Sequence, residues 1–161
     1  MITSVDTNII LDVLVQDKDF YLFSKTLLDK YSSAGQLIIC EIVYAELACQ
    51  FSSSSELNTF LADTEIKLVF SDEKSLSLAG EKWKLYLKNR KKAIQCSNCG
   101  EKISFNCPQC NKPVSFRQHI ISDFIIGAHA FIRAEFFLSR DRGFYKTYFP
   151  DIIKEISPEY R

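Results

Sequence analysis

Short apolar runs alternate along this chain with stretches whose apolar residues recur every three to four positions. The first pattern suits buried strands, and the second suits helices laid over a core. Residues 2–5 read as a strand, followed by a short helix from Asn8 to Val15. Phe20, Phe23, Leu27, Leu28 and Tyr31 then fall at helical spacing, with Asp17 or Asp19 as the cap and Gly35 as the stop. Leu37 to Cys40 predicts a second strand, leading into a helix from about Glu41 to Phe51. The serines from Ser52 to Ser55 read as a loop and N-cap, because Glu56 to Leu61 resumes helical spacing. A third strand is expected over Ile66 to Phe70, and Ser71 or Asp72 caps a long helix through Trp83 and Leu87 towards Arg90. After an interruption, helical spacing returns from about His119 to Arg133. Phe136 to Leu138 predicts a fourth strand, Phe144 to Tyr148 a short helix, and Ile152-Ile153 a last short strand.

Strands that alternate with helices imply a mainly parallel sheet covered on both faces. The 161 residues suit a single domain, 1–161, large enough to bury a core. No apolar run approaches the ~20 residues of a membrane span, and no basic region precedes an apolar N-terminal stretch. Membrane and secretory classes are therefore set aside, and a cytoplasmic location is expected.

Four carboxylates stand out against this pattern. Asp6 follows the first strand, Asp141 follows Phe136-Phe137-Leu138-Ser139-Arg140, and Glu46 and Asp123 lie in the early turns of helices. In open parallel sheets the working site lies outside the carboxyl ends of the strands, where all four are expected. Any one of them alone is a helix cap or a surface charge. Gathered, they repel one another and would take up protons at neutral pH without a counter-ion. Magnesium or manganese relieves that repulsion through oxygen ligands. The same ion activates water and stabilises charge on a phosphate, which is machinery for phosphodiester hydrolysis. Thr7, Asn8 and Ser139 are the expected polar support.

Six cysteines add a second metal chemistry. Cys96-Ser97-Asn98-Cys99 and Cys107-Pro108-Gln109-Cys110 are two C-x-x-C turns separated by seven residues, a spacing that suits one tetrahedral zinc. Two disulfides are the competing reading, disfavoured in a reducing compartment. Four thiolates leave no open ligand position, so the zinc is structural. It would hold an insertion at 94–113 that is too small for its own core, with Lys102 to Phe105 as one arm of a small ribbon. Cys40 and Cys49 lie in apolar contexts and read as buried free thiols.

Formal net charge is zero, yet the window from Lys82 to Arg117 holds nine basic residues and only Glu101 as an acid, a net +8. A lysine-rich helix face is often merely solvated. Beside a metal module, the block reads instead as a footprint for a polyanion. Thiolate-bound zinc contributes about −2, leaving the arm nearer +6. The candidate RNA contacts are Lys88, Arg90, Lys91 and Lys92, then Lys102, Lys112 and Arg117, with Arg140 and Arg142 flanking Asp141. Surface ion pairing is an equal alternative for the last two.

The residues carry a family resemblance. Val5-Asp6-Thr7-Asn8 with Ile9-Ile10-Leu11, Ile42-Val43-Tyr44-Ala45-Glu46-Leu47, Ile121 to Ala130, and Leu138-Ser139-Arg140-Asp141-Arg142-Gly143-Phe144 together resemble a PIN domain, more narrowly the VapC-type toxin ribonucleases. The resemblance covers the chain outside the cysteine segment. It implies a three-layer α/β/α fold and a magnesium- or manganese-dependent endoribonuclease, usually a homodimer. Such toxins act on transfer or ribosomal RNA loops and are inhibited by a VapB-like antitoxin. Asp6, Glu46, Asp123 and Asp141 would be the metal site, with Thr7 or Ser139 in support. Many members carry another acid where this chain has Gly143, a threonine at Ser139, and a serine or threonine at Cys40, where a thiol is a poorer helix cap. The cysteine quartet is not general to the family.

Two competing functions remain: an RNA-maturation nuclease without an antitoxin, and a non-catalytic RNA-binding or ribosome-associated protein. His129, six residues after Asp123, reads as a buried, hydrogen-bonded core residue. His119 precedes a helix and could touch RNA phosphate, but exposure alone explains it. Trp83, Tyr86 and Leu87 read as core.

Overall fold

The computed structural model describes residues 1–89, 94–95, 101–114, 119–141, 143–152 and 154–156. The chain runs β1 (Ile2–Val5), α1 (Thr7–Leu14), α2 (Tyr21–Ala34), β2 (Gln36–Ile39), α3 (Glu41–Ala48), α4 (Ser54–Asp63), β3 (Ile66–Leu68) and α5 (Glu73–Asn89). It continues through β4 (Ile94–Gln95), β5 (Lys102–Ile103), α6 (Ile121–Arg133), β6 (Phe136–Ser139), α7 (Phe144–Tyr148) and β7 (Lys154–Ile156).

Five strands form one sheet in the order β3-β2-β1-β6-β7, and every pairing in it is parallel. The chain steps outward from β1 to β3, then returns to the other side of β1 with β6. Strand order therefore reverses between β1 and β6, and a crevice opens beyond their carboxyl ends. Val5, Ile39, Phe137 and Leu138 are almost completely buried, as expected of strands covered on both faces. Asp6 N donates to Leu138 O at 2.9 Å, so the pairing of β1 with β6 carries right up to the first acid.

The caps explain where helices start. Asp6 caps α1, its carboxylate accepting from Thr7 N at 2.8 Å. Ser53 caps α4 by accepting from Glu56 N, and Glu56 Oε2 accepts from Ser52 N, which satisfies two orphan donors reciprocally. Of the two candidate caps for α5 it is Asp72 that accepts from Ser75 N, at 2.8 Å. Asp17 accepts from Asp19 N and Phe20 N and so organises the turn ahead of α2, whose own N-cap, Phe20, makes no side-chain bond. Gly35 ends α2 where a Cβ would stand 2.1 Å from the Met1 carbonyl, the acceptor for Gln36 N.

Several expectations need correction. The last strand is Lys154–Ile156, not Ile152-Ile153; Ile152 instead buries its side chain against the core. Cys49 is exposed, because α3 ends at Ala48 and turns it outward, whereas Cys40 is buried. Leu87 is 38% exposed, while Tyr86, one position away on α5, is buried. His129 is fully buried as expected, yet among the described residues neither ring nitrogen makes a hydrogen bond. Burial lowers its pKa, partly offset by the Val69 carbonyl and the Glu41 carboxylate, so the imidazole is held neutral.

In the cysteine segment, β4 and β5 pair antiparallel through Ile94–Ile103 and Gln95–Lys102, forming a small hairpin. A second, Asn106–Pro113, bridge closes the loop that carries Cys107 and Cys110. Cys96 and Cys99 lie outside the described residues, as do Arg90, Lys91, Lys92, Arg117 and Arg142.

Candidate active site

At the reversal point, Asp6 is the centre of a polar network. Its side chain is buried at 6% exposure, with Oδ2 accepting from Ser139 Oγ at 2.6 Å and from Asn8 Nδ2 at 2.7 Å. Thr7 Oγ1 donates to Glu46 Oε2, linking the start of α1 to α3. Asn8 Oδ1 accepts from Arg140 N at 3.0 Å, and Ser139 Oγ from Asp141 N at 3.0 Å. The three residues expected as polar support thus each tie an acid or its loop in place, Asn8 and Ser139 between the ends of β1 and β6 and Thr7 between α1 and α3.

Asp123 and Asp141 are held differently. Asp123, in the first turn of α6, accepts from Ile120 N at 3.0 Å through Oδ2, which also stands 3.7 Å from His119 Nδ1. Asp141 Oδ1 accepts from Gly143 N at 2.9 Å and Phe144 N at 2.8 Å, capping α7. Both carboxylates thus serve as helix caps as well as candidate ligands. Among the described residues, no three acid, histidine or cysteine side chains stand close enough to hold one ion.

Electrostatics nevertheless relate the acids to one another. Burial pushes the Asp6 carboxyl up to about 6, against hydrogen bonds from Ser139, Thr7 and Asn8 and with the added repulsion of Glu46. Burial also raises the Tyr145 hydroxyl well above its ordinary value, and the carboxylates of Asp6, Asp123 and Asp141 raise it further. Three of the four acids therefore lie within electrostatic reach of one buried tyrosine on α7. No cation among the described residues pairs with Asp6. A buried carboxylate without a counter-charge, bordered by further hard oxygen donors, fits a divalent ion of the magnesium type.

Arg140 is committed elsewhere than to the solvent face. Its guanidinium reaches Asp12 Oδ1 at 2.8 Å, lies 4.2 Å from the Phe20 ring centroid, and is 29% exposed at the side chain. Asp12 is nearly inaccessible and also accepts from Ser24 Oγ at 2.6 Å. Lys88 and Lys112 are exposed. Tyr145 and the Asp12–Arg140 pair were not singled out from sequence; their only signal was an aromatic and an acid at helical spacing, which is also how ordinary core and surface residues look.

The Cys107 loop is a tight turn. Asn111 N donates to Cys107 O at 2.8 Å, Cys107 N to Lys112 O at 2.8 Å, and Asn111 adopts φ 54°, the left-handed region. The N–H groups of Cys110 and Gln109 lie against the Cys107 sulfur and, with the Cys110 thiol, lower its pKa. Both cysteines are free thiols.

A PIN domain model matches residues 4–150. Among solved structures, the chain is similar to VapBC2 from Rickettsia felis bound to a fragment of promoter DNA, at 19% identity and a TM-score of 0.57, with 97% of this chain and 98% of that chain covered. VapBC-1 from nontypeable Haemophilus influenzae gives 16% identity and a TM-score of 0.58 over the same shares of the two chains. FitAB bound to a DNA fragment gives 15% identity and 0.54 over the full length of both. At such identities these likenesses speak for the fold. No curated protein matches the chain by sequence. The family match takes in β2, β3, β6, the end of β1 and all four acids, and the chain belongs to the PIN domain family, whose members are generally nucleases that use magnesium or manganese.

Proposed function

We propose that this protein is a metal-dependent endoribonuclease and the toxin of a VapBC-type pair. The observation that carries the reading is Asp6: a buried carboxylate, pushed up to about 6 and paired with no cation among the described residues, at the point where strand order reverses. Asp6, Glu46, Asp123 and Asp141 would hold magnesium or manganese. When bound, the ion would neutralise these charges, activate water and stabilise charge on the scissile phosphate. The chain's own contribution is orientation. Ser139 and Asn8 fix the Asp6 rotamer, Thr7 fixes Glu46, and the cap bonds fix Asp141. With Gly143 in place of a further acid, one well-liganded ion is the expected number.

A VapB-like antitoxin is the proposed partner, supported by the VapBC and FitAB complexes among the similar structures. A homodimer and a cytoplasmic location go with that reading. Transfer or ribosomal RNA loops are the proposed substrate. The insertion at 94–113 is proposed to bind structural zinc through Cys96, Cys99, Cys107 and Cys110. Support comes from the β4–β5 pairing on one side of the first cysteine pair and the turn built around the second. Its basic residues would hold RNA beside the acids by phosphate contacts.

Purified protein with manganese is expected to cut transfer or ribosomal RNA, and Asp6→Asn and Asp123→Asn to abolish cutting while retaining the fold by circular dichroism. Cleavage that survives both substitutions would sink the proposal. Absence of cleavage by the wild type, with tight RNA binding, would favour a non-catalytic binding protein instead.

A further inference from the structure

Tyr86 and His119, which precede and follow the cysteine segment in the chain, meet near Asp123. Tyr86 sits near the end of α5, and its hydroxyl accepts from His119 N at 3.4 Å, just before α6 begins. The His119 ring lies edge-on to Tyr86 at 5.7 Å between centroids and packs on Phe144 at 4.5 Å with the planes tilted by 39°. Phe144 is itself buried against Phe124 at 4.7 Å. A residue expected to be an exposed side chain is therefore wedged between three elements, with 29% of its side chain exposed.

Two of the contacts of His119 lead to an acid. Asp123 lies four residues on from His119, caps the backbone at Ile120, and has a carboxylate oxygen 3.7 Å from the imidazole. Phe144, the partner in the ring stack, donates its N–H to Asp141. α7 is only five residues long and cannot hold its own position by helix propensity. Its placement depends on the cap at Asp141 and on the aromatic rings packed around Phe144. The stack requires no proton on the imidazole.

We propose that His119 is a positioning residue of the acid site: its ring locks the start of α6, which carries Asp123, against the start of α7, which Asp141 caps. The proposal rests on the metal-dependent reading above. It makes His119 a support for the acids, together with Tyr86 at the end of α5. Supporting groups of this kind are worth roughly 10- to 100-fold in metal affinity or activity, because a displacement near 1 Å at a reacting centre is costly.

The test compares full-length wild type, His119→Ala and His119→Phe by manganese affinity, by amide exchange at Gly143 and Phe144 without metal, and by RNA cleavage. His119→Ala is expected to bind manganese about 10-fold more weakly, to exchange faster at those two amides, and to lower kcat more than it changes KM. His119→Phe, which keeps a ring against Phe144, is expected to recover most of each loss. Should His119→Ala fail to fold, His119→Leu, which fills the volume without a planar ring, takes its place. Wild-type affinity and exchange in the ring-less variant would overturn the proposal. So would His119→Phe behaving no better than the ring-less variant, since the effect would then lie in the imidazole. Were the wild type to bind manganese yet cut no RNA, the nuclease reading would fall while affinity and exchange still judged His119. Were it to bind none, exchange alone would judge it, and unchanged exchange would overturn it.

Discussion

Asp6 is held by Thr7 N, Ser139 Oγ and Asn8 Nδ2, and these bonds favour its charged form, yet burial outweighs them and its pKa rises to about 6. A carboxyl whose pKa is higher folded than unfolded contributes stability that is full below the unfolded value of 3.8 and is lost as pH rises through about 6. The metal-free protein is therefore expected to lose stability between pH 4 and 8, by on the order of 3 kcal/mol at most. Asp6→Asn should flatten that slope, and urea unfolding in chelator at pH 4 and 8 measures it; equal slopes in the two proteins would refute the assignment. Manganese should raise the wild-type Tm more at pH 8 than at pH 5, because protons compete for Asp6 at the lower pH. Asp6 was legible in the sequence because it follows a buried strand in company with three further acids, all expected beyond the carboxyl ends of a parallel sheet. Its elevated pKa was not, since that depends on how completely neighbours from β6 and α3 shut out water.

Among elements, two contacts place the loop that carries Asp141. Arg140 bonds the nearly inaccessible Asp12, so α1 and α2 are tied to the residue just before that acid. Removing the guanidinium leaves a buried charge unpaired, and Arg140→Met is expected to cost about 2–3 kcal/mol at pH 7, less than a fully buried pair because Arg140 is part-exposed. The cost should shrink at pH 4, where Asp12, its pKa already raised by burial, takes up a proton. The exposed Lys25–Asp29 pair, 2.5 Å apart, supplies the contrast: Lys25→Ala should leave stability nearly unchanged. Chemical denaturation of both variants checks the ranking. At the far end of α7, a Cβ on Gly127 would stand 2.5 Å from the buried Phe149 ring. Gly127→Ala should destabilise by about 1–2 kcal/mol, the clash exceeding the gain in helix propensity; a rise in Tm would contradict it. Neither contact was visible in the sequence. A buried acid in α1 and a glycine in α6 look like ordinary residues until the helices that cover them are known.

At the scale of the molecule, the parallel sheet and the cysteine segment have different sources of stability. The sheet buries Val5, Ile39, Phe137 and Leu138 almost completely, whereas the described hairpin exposes Ile103 and Phe105 at 51% each. A segment that leaves its large apolar residues in water needs another source of order, and thiolate-bound zinc is the proposed one. One zinc per chain is expected by elemental analysis. Chelation should accelerate amide exchange over residues 101–114 while leaving the thermal unfolding of the sheet nearly unchanged. Substoichiometric zinc in freshly purified protein would count against the quartet. By itself the sequence determined the alternation of strands and helices, the parallel sheet, the family, and the four acids as candidates, because burial periodicity and strand-end acids are local signals. Only the tertiary structure decided that Asp123 and Asp141 also cap helices, that Arg140 faces Asp12, and that His119 lies between Tyr86 and Phe144. The caps are local, each spanning three residues, and turn on backbone geometry that residue types alone leave open; the other two contacts join residues far apart in the chain, and which partner a side chain meets there is fixed by how the elements pack, not by its own neighbours in sequence.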